Sequence, residues 1–270
     1  MKPVDALAGA PAPTVPAASP AGYFSARALS YPAETAWIDD PALVAAILDR
    51  VPTLGPGRRA LDLAAGPGTL TRALAQHRPA RWHSLDLELA MLTRPDIVGH
   101  RVVADGAALP LRPGVFSAAV CRSGLHYIGL ATGLREMARV VAPGGTITVA
   151  QKVADGVRHD FAWYAQVQAL RSVAPRQRLF SEDIVRQAEG AGLALVDQAV
   201  LTQEVVTDLH AWASRSGFFT SSHTARLLEL AAAGSDPTFA ARTGFAVAGR
   251  TVRYLLRWAV TQLRVPGPPA

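Results

Sequence analysis

The sequence has 270 residues, half of them hydrophobic, which is enough for one sizeable core with an appended lid or for two small domains. No apolar run approaches the length of a membrane span, and the single cysteine, Cys121, excludes an internal disulfide or a cysteine-based metal cluster within one chain. The net charge of +6 comes from scattered arginines, so no nucleic-acid partner is expected. We expect a cytoplasmic monomer or homodimer with no membrane partner.

Two segments precede the first predicted strand. Residues 1–20 are rich in Ala and Pro and lack a sustained apolar run, so we interpret them as a disordered leader rather than a signal peptide. Residues 21–36 contain Tyr23 and Phe24, whose rings belong either to a surface arm or to an aromatic flap over a ligand. A helix follows, with Asp40 as its N-cap and a proline at its first position.

The segment Arg59–Leu70 predicts a buried strand, a glycine turn and the start of a helix. Gly66 and Gly68 let the backbone approach a ligand closely, and a helix N-terminus offers N–H groups to an anion. A dinucleotide-binding fingerprint would need glycine in place of Thr71, and Asp62 at the strand end would repel a pyrophosphate. An amino-acid tail, with its ammonium towards Asp62 and its carboxylate on the turn, suits this segment and points to S-adenosylmethionine. The alternative is an ordinary strand–turn–helix corner.

Acidic residues also follow the next two predicted strands. Arg81–Leu85 ends at Asp86, whose carboxylate either accepts from both hydroxyls of a ribose or caps a helix over Leu87–Leu92. Arg101–Ala104 is followed by Asp105, which can accept a hydrogen bond from an exocyclic amine such as that of adenine.

The remaining pattern completes an alternation of strands and helices. Phe116–Cys121 is a continuous apolar strand, Leu130–Val141 an amphipathic helix, and Thr146–Ala150 a fifth strand after a turn at 143–145. Residues 59–150 therefore predict a doubly wound parallel sheet, which binds ligands at the carboxyl ends of its strands. The residues that share this rim are Asp62, Gly66, Gly68, Asp86, Asp105 and Ser123.

The C-terminal part is less regular. It predicts an aromatic helix within Phe161–Leu170, a helix capped by Ser181, and two strands, Leu193–Val200 and Thr251–Val260. Between these strands, the insertion Thr207–Gly249 either covers an acceptor site or packs as a cap with its aromatic residues in the core.

Four segments, in order, resemble motifs of the class I S-adenosylmethionine-dependent methyltransferases, above all the group with the ubiquinone and menaquinone C-methyltransferases. These segments are Leu61–Gly68, Asp86–Leu92, Asp105–Leu111 and Arg135–Gly145. The resemblance covers roughly residues 21–262 and implies a Rossmann-like seven-stranded α/β sheet with an antiparallel terminal strand pair and a helical lid over 207–249; residues 263–270 would be a tail. Ala64 departs from the family's usual glycine, and Ser117 from its usual acid.

The resemblance implies S-adenosylmethionine as cofactor, S-adenosylhomocysteine as product and a small molecule as methyl acceptor. It assigns the methionine end to the first segment, the ribose to the second and the adenine to the third. The cofactor-binding residues expected on this basis are Asp62, Ala64, Gly66, Gly68, Asp86, Leu87, Met91, Asp105, Gly106, Ala107 and Ser123.

A general base is needed only if the acceptor is a hydroxyl or a carbon that must become nucleophilic. His126, just past the fourth strand, is the candidate; the alternative is a histidine that packs or bonds a backbone carbonyl. His159 is the second candidate. The residues expected to contact the acceptor are Tyr23, Phe24, Tyr127, His159, Trp163, Trp212 and Phe218.

The residues after the fourth strand also limit the substrate. Cys121–Gly124 lacks the Asn/Asp-Pro-Pro-aromatic motif that grips a planar amino group, which argues against adenine or glutamine as acceptor. No acid near Ser123 offers a magnesium ligand, so no metal is expected. We expect methylation of an aromatic or polyketide-like metabolite. The alternatives are a related protein that uses the bound cofactor without methyl transfer, such as a cyclase, and an RNA-binding relative.

Overall fold

A single mixed sheet of eight strands organises the computed structural model of the chain. The structure describes residues 24–25, 28, 31, 37–93, 97–154, 163, 166–167, 170, 179–214, 221–234 and 237–267. The strands are β1 Arg59–Leu63, β2 Arg81–Asp86, β3 His100–Val103, β4 Phe116–Arg122, β5 Val141–Val153, β6 Ala194–Asp208, β7 Ala246–Ala248 and β8 Thr251–Arg264.

The helices of the described residues lie between these strands and in the C-terminal insertion. They are α1 Pro41–Leu48, α2 Thr69–His77, α3 Leu89–Leu92, α4 Leu125–Ile128, α5 Leu130–Val140, α6 Ser181–Gly190, α7 Leu209–Ser214, α8 Ser221–Ala233 and α9 Pro237–Thr243. No helix of the described residues has the length and apolar character that a membrane crossing requires.

The order of the strands is β3-β2-β1-β4-β5-β8-β6, with the short β7 paired to β8. β1 to β5 are parallel, whereas β8 runs antiparallel to both β5 and β6. This arrangement confirms the predicted doubly wound sheet with an antiparallel terminal pair. Because β1 and β4 are central, the carboxyl ends of the parallel strands form one continuous rim.

Local sequence signals account for the elements at this rim. The Asp40 carboxylate accepts a hydrogen bond from the Leu43 N–H at 2.8 Å, and Pro41 follows it, as expected for the start of α1. α2 begins after Gly68, whose φ of 77° is the left-handed conformation that glycine adopts without strain.

Both faces of the sheet are covered by apolar side chains. α1 and α2 pack on one face, where Leu43, Leu74 and Trp82 belong to one buried cluster. α5 and α6 pack on the other face, where Met137 and Ile184 belong to a second cluster. Successive side chains of a strand point to opposite faces, and both faces are buried here. The central strands are therefore continuous apolar runs in the sequence.

Several predicted boundaries differ from the structure. The turn predicted at 143–145 lies inside β5, where the register against β4 shifts between Phe116 and Ala118. Ser181 is the first residue of α6 rather than its cap; the Asp183 carboxylate accepts the Phe180 N–H at 3.1 Å instead. A side chain in the first turn can reach back to the N–H before the helix, and this hydrogen bond serves a different N–H group from those that a serine cap would accept from.

The terminal strand pair is longer than the sequence pattern predicted. β6 extends to Asp208 and β8 to Arg264, and they pair over almost their whole lengths. Most of β6 is half-buried or exposed, so no long apolar run marks it. The insertion between these strands contains α7, α8, α9 and β7; α9 was not predicted.

Candidate active site

A cavity of about 350 Å³ opens at the carboxyl ends of β1, β2 and β4. The predicted rim residues Asp62, Asp86, Asp105 and Ser123 all line it, although they lie far apart in the sequence. A cavity of this size falls in the range of small-molecule sites.

Asp62 is the buried acid at the end of β1. One of its carboxylate oxygens accepts the Thr71 hydroxyl hydrogen at 2.6 Å, and the Thr71 oxygen lies 3.0 Å from the Ser84 hydroxyl. Burial raises the pKa of Asp62 to about 6, while the Thr71 hydrogen bond and the positive charge of Arg122 oppose that rise. A cationic ligand group beside Asp62 would stabilise its charged form.

The turn between β1 and α2, here called the glycine corner, contains Gly66 and Gly68, which have different surroundings. A Cβ on Gly66 would meet no heavy atom within 4 Å, and Gly66 lines the cavity. A Cβ on Gly68 would lie 2.5 Å from the Ile97 Cγ1 atom, and Gly68 does not line the cavity. Gly68 lies outside the cavity wall, and its missing Cβ lets the chain turn against Ile97 and start α2; its expected contact with the cofactor stays a prediction.

Two residues on this rim have left-handed backbone conformations without being glycine. Ala64 has a φ of 57° and Ser123 a φ of 56°, and both line the cavity. Non-glycine residues rarely occupy this region, and they concentrate at functional sites. Ala64 stands where the family that the sequence resembles usually has glycine, the residue that adopts this conformation without strain.

Asp86, at the end of β2, connects the glycine corner to the loop before α3. Its carboxylate accepts the Gly66 N–H at 2.8 Å and the Glu88 N–H at 3.0 Å. Burial raises its pKa, and these backbone hydrogen bonds oppose the rise. α3 starts only at Leu89, so Asp86 is not the residue that caps it.

The third motif forms the opposite wall of the cavity. The Asp105 carboxylate accepts the Ala107 N–H at 2.8 Å, and Gly106 packs so close to Ile128 that a Cβ would lie 2.6 Å from its Cδ1 atom. The other predicted cofactor residues on the β2 side, Leu87 and Met91, also line the cavity.

Aromatic rings form a further wall. Phe24 meets Tyr127 edge-on with ring centroids 5.1 Å apart, and Tyr31 lies 6.2 Å from Phe24. All three line the cavity, together with Trp37, which the sequence reasoning did not identify. Within the described part of the N-terminal segment, Phe24 and Tyr31 therefore face the cavity, as the aromatic-flap hypothesis requires.

His126 lies beside the cavity rather than in its wall. Its Nδ1 atom is 2.7 Å from the Gln151 Nε2 atom, and its ring lies 4.0 Å from the ring of Tyr127. Gln151 is a buried residue of β5. The side-chain amide thus fixes the imidazole: an amide that donates to Nδ1 leaves the ring hydrogen on Nε2, and a rotated amide reverses this.

Two tryptophans predicted to contact the acceptor pack elsewhere. Trp163 lies 4.7 Å and Trp212 5.7 Å from Phe245, measured between ring centroids, and the Trp163 indole N–H donates to the Leu230 carbonyl at 3.0 Å. Neither tryptophan lines the cavity. Their packing matches the alternative in which the insertion's aromatic residues form a core. The predicted residues Tyr23, His159 and Phe218 lie outside the described residues.

Arg122 is a cavity residue that the sequence reasoning did not identify. Its guanidinium is buried and donates to the Ile38 carbonyl at 2.7 Å and to the Thr69 hydroxyl at 2.8 Å. Burial lowers its pKa, and the charge of Asp62 opposes that change. Its position next to Ser123 on the predicted rim was the signal that could have found it.

Known proteins are similar to this chain in sequence and in fold. The family model described as "Methyltransferase domain" matches residues 61–149. Demethylmenaquinone methyltransferase of Corynebacterium urealyticum is 36% identical over 160 residues, which cover 56% of this chain and 67% of that protein. The enzyme of the same name from Mycobacterium marinum is 33% identical over 162 residues, with the same two shares.

Solved structures agree on the fold. A protein of Bacillus halodurans, described as a methyltransferase, superposes with a TM-score of 0.70 at 18% identity, covering 83% of this chain and 98% of that one. Geranyl diphosphate C-methyltransferase of Streptomyces coelicolor, solved with S-adenosylhomocysteine, gives 0.52 at 15% identity, covering 83% and 78%. The chain therefore belongs to the class I S-adenosylmethionine-dependent methyltransferases. Within that class, both relatives named above are demethylmenaquinone methyltransferases.

Proposed function

We propose that the protein transfers a methyl group from S-adenosylmethionine to a quinol-type aromatic small molecule. The observation that carries this proposal is the cavity itself, in which a rim of acids and glycine meets a wall of aromatic rings. The named relatives, demethylmenaquinone methyltransferases, support a quinol-type acceptor in place of the broader aromatic or polyketide-like class. Neither a cyclase nor an RNA-binding protein is favoured, because both of these relatives carry methyltransferase names.

The chemistry of the rim fits the cofactor. Asp62 would hold the ammonium group of the methionine tail, and Asp86 would accept from the ribose hydroxyls. Gly66 leaves open space where the cofactor would pass, and Asp105 with its loop would meet the adenine. Bound S-adenosylmethionine would supply an electrophilic methyl group on its sulfonium sulfur.

The aromatic wall would hold the acceptor. Phe24, Tyr31 and Tyr127 present ring edges and faces, which pack well against a planar ring. Holding this ring in line with the methyl group and excluding water is the main contribution that the protein makes to such a displacement. His126 is oriented by Gln151 and lies against Tyr127 outside the cavity, so it would influence removal of a quinol hydroxyl proton through Tyr127 rather than by contact with the acceptor.

Methyl transfer to a soluble naphthoquinol without a ring methyl group tests the proposal. The protein is incubated with isotopically labelled S-adenosylmethionine and the acceptor under a reductant, and products are measured by mass spectrometry. We expect a singly methylated quinol and an equal amount of S-adenosylhomocysteine. The oxidised quinone is the matched control and should remain unmethylated because its ring is not nucleophilic. Cofactor binding without methylation of any quinol would overturn the proposed acceptor class.

A further inference from the structure

Arg122 is a buried cation in a cavity whose other charged residues are acids. Its side chain is 9% exposed at the end of β4. Within the part of the chain that the structure describes, it forms no ion pair with a carboxylate. Burying a guanidinium that no carboxylate contacts is costly, and the charge of Asp62 offsets only part of that cost. The other charged cavity residues that the structure describes are Asp62, Asp86, Glu88 and Asp105.

The guanidinium of Arg122 is already oriented. Its two terminal nitrogens donate to the Ile38 carbonyl before α1 and to the Thr69 hydroxyl at the N-terminus of α2. The Trp37 ring lies 5.5 Å from its central carbon. A guanidinium carries five N–H donors in a fixed plane, so these two hydrogen bonds leave donors for a ligand in the cavity.

The backbone of the glycine corner, in contrast, has already used its donors. Gly66 donates its N–H to Asp86, and Pro67 has no N–H. Gly68 donates to the carbonyl of Ala65 at 3.1 Å. No N–H of Gly66, Pro67 or Gly68 is therefore left for a ligand carboxylate, whose donors must come from the first turn of α2 or from another element.

We propose that Arg122 binds the methionine carboxylate of the cofactor, a role that the sequence pattern had assigned to backbone N–H groups of the turn. The inference rests on the proposed function, because it takes S-adenosylmethionine as the ligand. Asp62 would take the ammonium group, so that the two buried side chains of opposite charge divide the two charges of the amino-acid tail. A bidentate carboxylate is the anion that a guanidinium fork matches in shape.

Two ligands that differ only in this carboxylate test the proposal. S-adenosylhomocysteine and its decarboxylated analogue, which keeps the ammonium group, are titrated calorimetrically into the wild type, Arg122→Met and Arg122→Lys. We expect the wild type to prefer S-adenosylhomocysteine about tenfold to a hundredfold. Arg122→Met should lose that preference, and Arg122→Lys should keep part of it because it keeps the charge but not the fork.

Arg78→Met is the matched control. Arg78 also ties backbone carbonyls together, at Val51 and Leu48, but it does not line the cavity. This variant should lower the unfolding temperature and leave the preference between the two ligands unchanged. Should Arg122→Met fail to fold, the preference of the wild type and its reduction in Arg122→Lys decide the question.

Two results would overturn the assignment. They are an equal affinity of the wild type for both ligands, and an undiminished preference for S-adenosylhomocysteine in Arg122→Met, whether or not both affinities fall. If the wild type binds neither ligand, the proposed function fails together with this inference. If it binds S-adenosylhomocysteine but shows no preference, the inference about Arg122 fails alone.

Discussion

Thr71 supports Asp62: its hydroxyl donates to an Asp62 carboxylate oxygen over 2.6 Å, and both side chains are buried. Thr71 stands where a dinucleotide-binding fingerprint has glycine. A glycine there would leave the buried carboxylate without this hydroxyl. The residue that departs from the fingerprint thus donates the hydrogen bond that stabilises the charged form of Asp62 at the end of β1. That negative charge attracts an ammonium group and repels a pyrophosphate.

Removing the Thr71 hydroxyl should weaken cofactor binding. Thr71→Val keeps the shape of the side chain but removes the hydroxyl hydrogen bond to Asp62, so the charged carboxylate becomes less favourable and its pKa rises further. We expect the affinity for S-adenosylhomocysteine at pH 7 to fall about tenfold by calorimetry, as one charge-assisted hydrogen bond would predict. Thr71→Ser is the control and should bind almost as the wild type does. An unchanged affinity in Thr71→Val would show that the charge of Asp62 does not contribute to cofactor binding.

The raised pKa of Asp62 predicts a pH dependence of cofactor affinity. With a pKa of about 6 in the free protein, Asp62 is mostly protonated at pH 5 and mostly charged at pH 7. Only the charged form attracts the ligand's ammonium group, so affinity should rise about tenfold over this interval and then level off. The ligand's own amino and carboxyl groups do not titrate in this window.

Asp62→Asn tests the assignment of this pH dependence. The variant should bind more weakly at pH 7 and lose most of the dependence between pH 5 and 7. Burial also raises the pKa of Asp86, so any dependence that remains should disappear in Asp62→Asn combined with Asp86→Asn. An affinity that falls as pH rises would contradict the proposed charge pairing.

Ala64 should tolerate replacement by glycine. At a φ of 57° alanine is strained by about 1–2 kcal/mol, whereas glycine adopts this conformation freely but loses about 0.5–1 kcal/mol in chain entropy. Ala64→Gly should therefore raise the free energy of unfolding by about 0–1.5 kcal/mol in urea denaturation. The neighbouring Ala65 has no left-handed φ, so Ala65→Gly should be destabilising. A clear destabilisation by Ala64→Gly would show that its methyl group contributes packing that outweighs the strain.

His126 should affect the rate more than cofactor affinity. Because it lies behind Tyr127 and contacts Gln151 rather than the cavity, we expect His126→Ala to lower kcat about tenfold without abolishing turnover. Gln151→Leu should have a similar effect and should also change the pH profile of kcat, because it frees the orientation of the imidazole. A loss above about a thousandfold in His126→Ala would instead mark an obligatory general base.

Local sequence patterns were enough to predict the strands and the cavity-lining residues at the rim of the sheet. A short apolar run that contains Asp62 near its end predicted β1, and a run followed by Asp86 predicted β2, because buried parallel strands and their ligand-facing ends have distinct compositions. The same patterns predicted that distant residues meet at one edge. All the predicted cofactor residues except Gly68 line the cavity.

Features that depend on tertiary contacts could not be predicted in this way. The length of β6 follows from its pairing with β8, and half its residues carry polar side chains. Trp163, in the predicted aromatic helix, and Trp212, in the insertion, are aromatic residues for which only packing decides whether they contact a ligand or other aromatic rings. Arg122 carries no motif of its own; its importance appears from its burial beside Thr69.

The most direct test of the central claim, that the cavity at the glycine corner binds the cofactor, is calorimetry of Gly66→Val with S-adenosylhomocysteine. Gly249→Val is the matched control, because Gly249 has a φ of 57° against 55° for Gly66 and also has open space around its missing Cβ, but it does not line the cavity. The two variants therefore carry similar backbone strain. We predict that Gly249→Val binds as the wild type does, whereas Gly66→Val remains folded and loses at least about a hundredfold in affinity. A folded Gly66→Val that binds with wild-type affinity would contradict the account.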